Sequence, residues 1–81
     1  MIYDEDIDAL GLLCPLPVLK ARKKLGTMQA GAVLAVIADD PAAEIDVPHF
    51  CAENGHEFLG QETAEGLGNG RAATRYFIRR K

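Results

Sequence analysis

The chain has 81 residues, 48% of them hydrophobic and 26% charged, with a net charge of −3. A single domain spanning 1–81 is expected, and so short a chain buries only about 60–65% of its unfolded surface. That excludes a deep cleft between domains and puts any chemistry on an exposed patch or against a partner. The acidic balance argues against a general nucleic-acid binder, which needs clustered Lys and Arg to meet phosphates. The closing Arg79, Arg80 and Lys81 read as a solvated basic end. No apolar run approaches the ~18 residues of a membrane span. The opening "MIYDEDID" lacks the basic and apolar regions of a secretory signal, so the expected location is the cytoplasm. Cys14 and Cys51 are far apart, form no CxxC, and are expected to be free thiols in a reducing compartment.

In chain order, "EDIDAL" (5–10) alternates, with Ile7 and Ala9 on one side and Asp6 and Asp8 on the other, as in a strand with one solvated face. "GLLC" bends the chain. A helix is expected from Pro15 to Leu25, closed by Gly26. "AVLAVIA" (32–38) is apolar throughout and rich in β-branched residues, which fits a central strand. The next segment opens with Asp40 as the expected N-cap and Pro41 in the first helical turn. Pro48 predicts a kink or a restart near Val47. Val47, Phe50 and Cys51 share a face at helical spacing, and Asn54-Gly55 ends the helix. "EFLGQET" (57–63) and "ATRYFIRR" (73–80) are two more strands, with "GLGNG" (66–70) as the hairpin loop between them. The order β-α-β-α-β-β predicts an α/β fold: a two-layer α/β sandwich with a four-stranded mixed sheet and two helices on one face.

"LLCPLPVLK" (12–20) places Cys14 where the first helix begins. Pro15 suits the first helical position and Pro17 is tolerated in the same turn. Cys14 therefore falls at the N-cap or next to it. A helix start carries partial positive charge and unpaired N–H donors, both of which favour thiolate. This predicts a reactive, partly exposed Cys14 with a depressed pKa. A cysteine is a poor cap compared with Ser, Thr, Asp or Asn, so its presence here points to a purpose other than stability. On the helix itself, Val18, Ala21 and Leu25 form one face. Lys20, Lys23 and Lys24 lie nearly opposite, and Leu16 falls beside them, exposed next to the thiol. That strip reads either as a docking patch for an acidic partner or as a solvated helix face with one stray leucine. Spacing assigns Arg22 no role.

Competing chemistry is poorly supported by the residues. A Cys-His hydrolase needs an oriented base, and His49 and His56 show no orienter in the sequence. Cys14, His49, Cys51 and His56 match no zinc-ligand spacing, so no metal and no cofactor are expected. Cys51, beside Phe50, reads as a buried structural thiol. "GLGNG" leads into a strand rather than a helix and is not a phosphate loop.

The stretch "IDALGLLCPLPVLKARKKL" resembles the N-terminal block of the TusA/SirA-like family of small sulfur carriers. The family's hallmark is a CPxP motif after a D-x-x-G-x-x-C approach, here Asp8, Gly11 and Cys14. The similarity continues through "MQAGAVLAVIADDPA", "DVPHFC" and "YFIRRK", and so covers nearly the whole chain. The resemblance implies that Cys14 carries sulfane sulfur as a persulfide. It implies a cysteine desulfurase or rhodanese-type donor, and a DsrE-type or other relay acceptor serving tRNA thiolation or sulfur oxidation. It further implies that Gly11, Pro15, Leu16 and Pro17 support the motif, and that Lys20, Arg22, Lys23, Asp39 and Asp40 shape a docking surface. Neither nucleic acid nor membrane is implied as a direct partner, and a monomer suits a carrier that presents one thiol to several proteins. Two departures stand out: Leu16 occupies the place of the acidic residue in "CPEP" members, and "GLGNGRAAT" is longer than the family's short hairpin. A regulatory interaction module on the same fold is the main alternative. A nucleic-acid-associated module is disfavoured by the charge.

Overall fold

The computed structural model describes residues 2–64 and 72–81. Strand β1 (Glu5–Asp8) is followed by helix α1 (Leu16–Leu25), strand β2 (Val33–Ala38), helix α2 (Ala43–Asn54), and strands β3 (Glu57–Thr63) and β4 (Thr74–Arg79). The sheet order is β1-β2-β4-β3. β1 pairs parallel with β2, whereas β2 with β4 and β3 with β4 are antiparallel. This is the expected two-layer α/β sandwich. The expected "GLGNG" loop lies outside the described residues.

The two central strands explain the core. Leu34, Val36 and Ala38 of β2 and Tyr76 and Ile78 of β4 alternate onto one face. There they meet Ala21 and Leu25 of α1 and Val47, Phe50 and Cys51 of α2 in one buried cluster. Burying each large apolar side chain of this kind stabilises by about 1.5–3 kcal/mol. β2 is apolar on both faces because its second face is also covered: Val33 and Ala35 are buried, as is Phe77 of β4. The Tyr3 ring lies 6.2 Å from that of Phe77. Cross-strand pairs Arg75–Glu62 at 3.2 Å and Arg79–Glu57 at 3.1 Å flank it.

Three local expectations change. Pro15 is the N-cap of α1 rather than its first residue, and Pro17 occupies the first turn and is buried. Helix α2 runs unbroken through Pro48. A proline this near the helix start removes one hydrogen bond, to the carbonyl of Glu44, and Glu44 is exposed, so water can satisfy that oxygen. Asp40 does not cap α2 directly, since Ala42 is the N-cap. Instead Asp40 heads the preceding turn: its Oδ1 accepts the Ala42 N–H at 3.1 Å and its carbonyl accepts the Ala43 N–H at 3.0 Å. At the other end Gly55 takes φ +75°, the left-handed conformation that closes a helix at least cost to glycine.

Candidate functional site

Because β1 and β2 are parallel neighbours, the turns that follow them leave the same edge of the sheet side by side. The β1–α1 turn is thereby held by the residues that follow β2. Asp8 Oδ1 accepts the Leu10 N–H at 2.8 Å, bending the chain out of β1. Gly11 then takes φ +77°, a conformation that favours glycine. Its N–H donates to Oδ1 of the buried Asp39 at 3.0 Å. The Cys14 N–H donates to Asp40 Oδ2 at 2.5 Å. The Lys20 ammonium donates to the Asp8 carbonyl from the first turns of α1. Asp39 and Asp40 thus fix both ends of the segment that presents the thiol, and the Cys14–Pro15 peptide bond is cis.

Cys14 is exposed and borders a groove of about 180 Å³ between α1 and α2. Pro15, Val18 and Phe50 supply its apolar wall, and Asp46, His49 and Glu53 its polar one. Asp46 lines the same groove as the thiol. Hydrogen bonding with the Asp46 carboxylate, slight desolvation and the negative charges of Asp46 and Asp40 raise the Cys14 pKa above its ordinary value. That direction is opposite to the depression expected at a helix start. A carboxylate stabilises the S–H form and repels the thiolate, and two of them face the sulfur here. His49 Nε2 lies 2.7 Å from Glu53 Oε1, one turn along α2, so this imidazole has the orienter that the linear reading did not show.

The remaining predicted residues divide by position. Leu16 is 48% exposed, beside the equally exposed Leu19 and the more open Leu13. These three, with Ile45 on α2, leave apolar surface around the turn and the helices. Lys23 lines a shallow cleft with Ile7, Lys20, Lys24 and Thr27. Arg22 faces the far end of the helix pair, with Asn54, His56, Arg80 and Lys81. The structure does not bring Arg22 into the Cys14 groove; it lies six residues along α1 from Leu16, a rise of about 9 Å. Cys51 is 2% exposed, and burial pushes its thiol up to about 11.

Asp46 is the residue that the linear reading missed. Its signal was present: Asp46, His49, Phe50 and Glu53 recur at the three- and four-residue spacing of one helix face. What the spacing could not supply is that α2 packs this face beside the start of α1. A larger concavity of about 440 Å³, lined by Asp6, Asp8, Ile37 and Arg75 among others, contains neither thiol nor imidazole. Among the described residues no cluster of His, Cys, Asp and Glu could hold a metal ion, and no helix is long and apolar enough to cross a membrane.

Comparison with known proteins adds three findings. The family model described as sulfurtransferase TusA matches residues 5–79. The sulfur carrier protein TusA of Pseudomonas entomophila is 43% identical over 81 residues, covering 100% of this chain and 94% of that one. The crystal structure of a SirA-like protein from Desulfitobacterium hafniense superposes with a TM-score of 0.70 at 28% identity, covering 94% of this chain and 96% of the other.

Proposed function

Since the chain belongs to the TusA family of sulfur carriers, we propose that it holds sulfane sulfur on Cys14 as a persulfide and relays it from a donor protein to an acceptor. The single observation that carries this reading is the placement of Cys14. It is the one exposed thiol of the two, and it sits on a turn whose backbone two aspartates hold in place. In the loading step the Cys14 sulfur attacks the terminal sulfur of a donor persulfide. A new S–S bond forms on Cys14, the donor's S–S bond breaks, and the donor leaves as a thiol carrying the displaced proton. The exchange is redox-neutral, and its reverse on an acceptor cysteine unloads the carrier.

An exposed attachment point suits this chemistry, because a sulfur passed between proteins must be reached from outside on both occasions. The donor class is a cysteine desulfurase or a rhodanese-type sulfurtransferase. The acceptor is a DsrE-type or similar relay protein, in a cytoplasmic route to tRNA thiolation or sulfur oxidation. Leu13, Leu16 and Leu19 supply apolar contact area beside the thiol, and Lys20 and Lys23 supply a basic margin.

Incubation with a desulfurase or rhodanese and its substrate, followed by intact-mass measurement, tests the reading. Wild type and Cys51→Ser gain one sulfur atom and Cys14→Ser gains none. Absence of any gain in wild type, or a gain retained in Cys14→Ser, refutes it and leaves the interaction-module alternative.

A further inference from the structure

We propose that the cleft at the C-terminal ends of the two helices binds a tetrahedral oxyanion, either free sulfate or phosphate or the phosphate end of a small monoester, through Arg22, His56, Arg80 and Lys81. The proposal is independent of sulfur carriage. The cleft has a volume of about 250 Å³. Three parts of the chain bring the basic groups together: Arg22 lies in the last turn of α1, His56 follows α2, and Arg80 and Lys81 follow β4. Hydrogen bonds tie three of them to one another and to the helix end. Arg80 Nε donates to the Leu25 carbonyl at 2.8 Å and Nη1 to the Lys81 carbonyl at 3.1 Å, while the Lys81 N–H donates to His56 Nδ1 at 3.1 Å. With Nδ1 accepting, a neutral His56 carries its proton on Nε2 and is a donor there. Arg80 Nη2, the Arg22 guanidinium, the Lys81 ammonium and His56 Nε2 are left as donors without an acceptor among the described residues.

Charge sets this cleft apart. The chain is acidic overall, with a net charge of −3, yet among the described residues no acidic side chain lines the cleft. Other cations are matched: Lys24 pairs with Glu5, Arg75 with Glu62 and Arg79 with Glu57. Arg22, Arg80 and Lys81 pair with no side-chain carboxylate among the described residues. The carbonyl ends of α1 and α2 contribute about half a negative charge each, and Arg80 takes up part of the first through Leu25. Three permanent cations outweigh both helix ends together with the Lys81 terminal carboxylate. Desolvation, then the charges of Lys81 and Arg80, lower the His56 pKa, so the cations already act on the ring. A bound dianion answers those charges and eases protonation of His56. Guanidinium forks match pairs of oxygens on a tetrahedral oxyanion, and such charge-assisted hydrogen bonds are the strong ones. The cleft is smaller than the pockets that hold drug-sized ligands, which suits one anionic group with a small substituent.

The test is an NMR titration of the isotope-labelled full-length chain with sodium sulfate, whose charge stays fixed where His56 titrates, at ionic strength matched with sodium chloride. Saturable amide shifts are expected at Gly26, Asn54, His56 and Lys81 and not at Cys14 or Val18, with half-saturation at about 1–10 mM. Arg22→Gln is expected to weaken binding about fivefold or more, and Lys23→Gln, the next residue but outside the cleft, less than about twofold. Saturating sulfate is expected to raise the ring titration midpoint of His56 by about 0.3 pH unit or more and to leave that of His49, in the Cys14 groove, unmoved. Inorganic phosphate and ribose 5-phosphate, run as parallel arms, identify the source. Tighter binding of ribose 5-phosphate assigns the cleft to a monoester, and equal or weaker binding assigns it to the free oxyanion. Absence of saturable shifts in wild type overturns the proposal. So does equal weakening by Arg22→Gln and Lys23→Gln, an equal rise of both histidine midpoints, or saturation by a short RNA or an acidic peptide with none by the three small anions.

Discussion

The two cysteines of this chain are both held in the proton form, for opposite reasons. Cys14 is open to solvent, and carboxylates raise its pKa: Asp46 by a hydrogen bond and by charge, Asp40 by charge. Cys51 is sealed between α2 and the sheet, and burial alone raises its pKa to about 11. A carboxylate's influence ends when its charge is paired or the sulfur turns away. Burial ends only when the structure opens. The direction of a pKa shift therefore does not separate a working thiol from a structural one; its cause does.

The largest expected difference is in accessibility. Under native conditions near neutral pH, Cys14 should be alkylated about a thousandfold faster than Cys51 or more, since only opening of the core exposes the second thiol. Timed alkylation with peptide-level readout measures this, and comparable rates would erase the contrast. Next comes the support of the Cys14 turn. Asp39 is buried and accepts the Gly11 N–H, so Asp39→Ala leaves a buried donor without its partner. It should cost about 1–3 kcal/mol in urea denaturation, while Asp39→Asn, which keeps an acceptor, costs less. Truncating the thiols themselves should divide them again. Cys51→Ala is expected to lose about 1–2 kcal/mol through the space it leaves, and Cys14→Ala to stay within about 0.5 kcal/mol of wild type.

The pH dependence of stability sharpens the same contrast. A pKa raised on folding contributes stability that is full below the unfolded value and lost as pH rises through the folded one. For Cys51 that window runs from 9.0 to about 11. Denaturation midpoints of wild type should therefore fall more steeply across it than those of Cys51→Ala. On the acid side His56 works the other way. Desolvation, then the charges of Lys81 and Arg80, lower its pKa from 6.5, so stability should decline as pH falls below 6.5 and less so in His56→Gln. The smallest expected effect is at Leu16. Leu16→Glu places a negative charge in the first turn of α1, which should stabilise the fold by about 0.3–1 kcal/mol. By adding a carboxylate beside Cys14, it should also slow alkylation of that thiol.

Much of this was legible in the linear chain. The alternation in "EDIDAL" and "ATRYFIRR", the unbroken apolar run of β2 and the helical spacing of Val47, Phe50 and Cys51 carry the sandwich and its core. The CPxP motif carries the family. The electrostatics of Cys14 were not legible, because a helix start is visible in sequence but the carboxylates opposing it come from a separate element. Asp40 and Asp46 reach the cysteine only through the parallel pairing of β1 with β2 and the packing of α2 beside α1. Pro48 misled for a related reason: its cost depends on whether one carbonyl, that of Glu44, is left facing solvent. Arg22 lies within α1 close after the motif, yet faces the opposite end of the helix pair, which linear proximity to Cys14 does not reveal.

The central claim is that sulfur is carried on the exposed thiol and not on the buried one. Lys20 is the first Lys or Arg of the chain, and no Lys or Arg falls between Lys24 and Arg71. Trypsin therefore separates Cys14, in 1–20, from Cys51, in 25–71. Loading wild-type protein from a desulfurase or rhodanese, alkylating, digesting and weighing the two peptides should place one additional sulfur on 1–20 and none on 25–71. Sulfur on the Cys51 peptide, or on neither, would contradict the account.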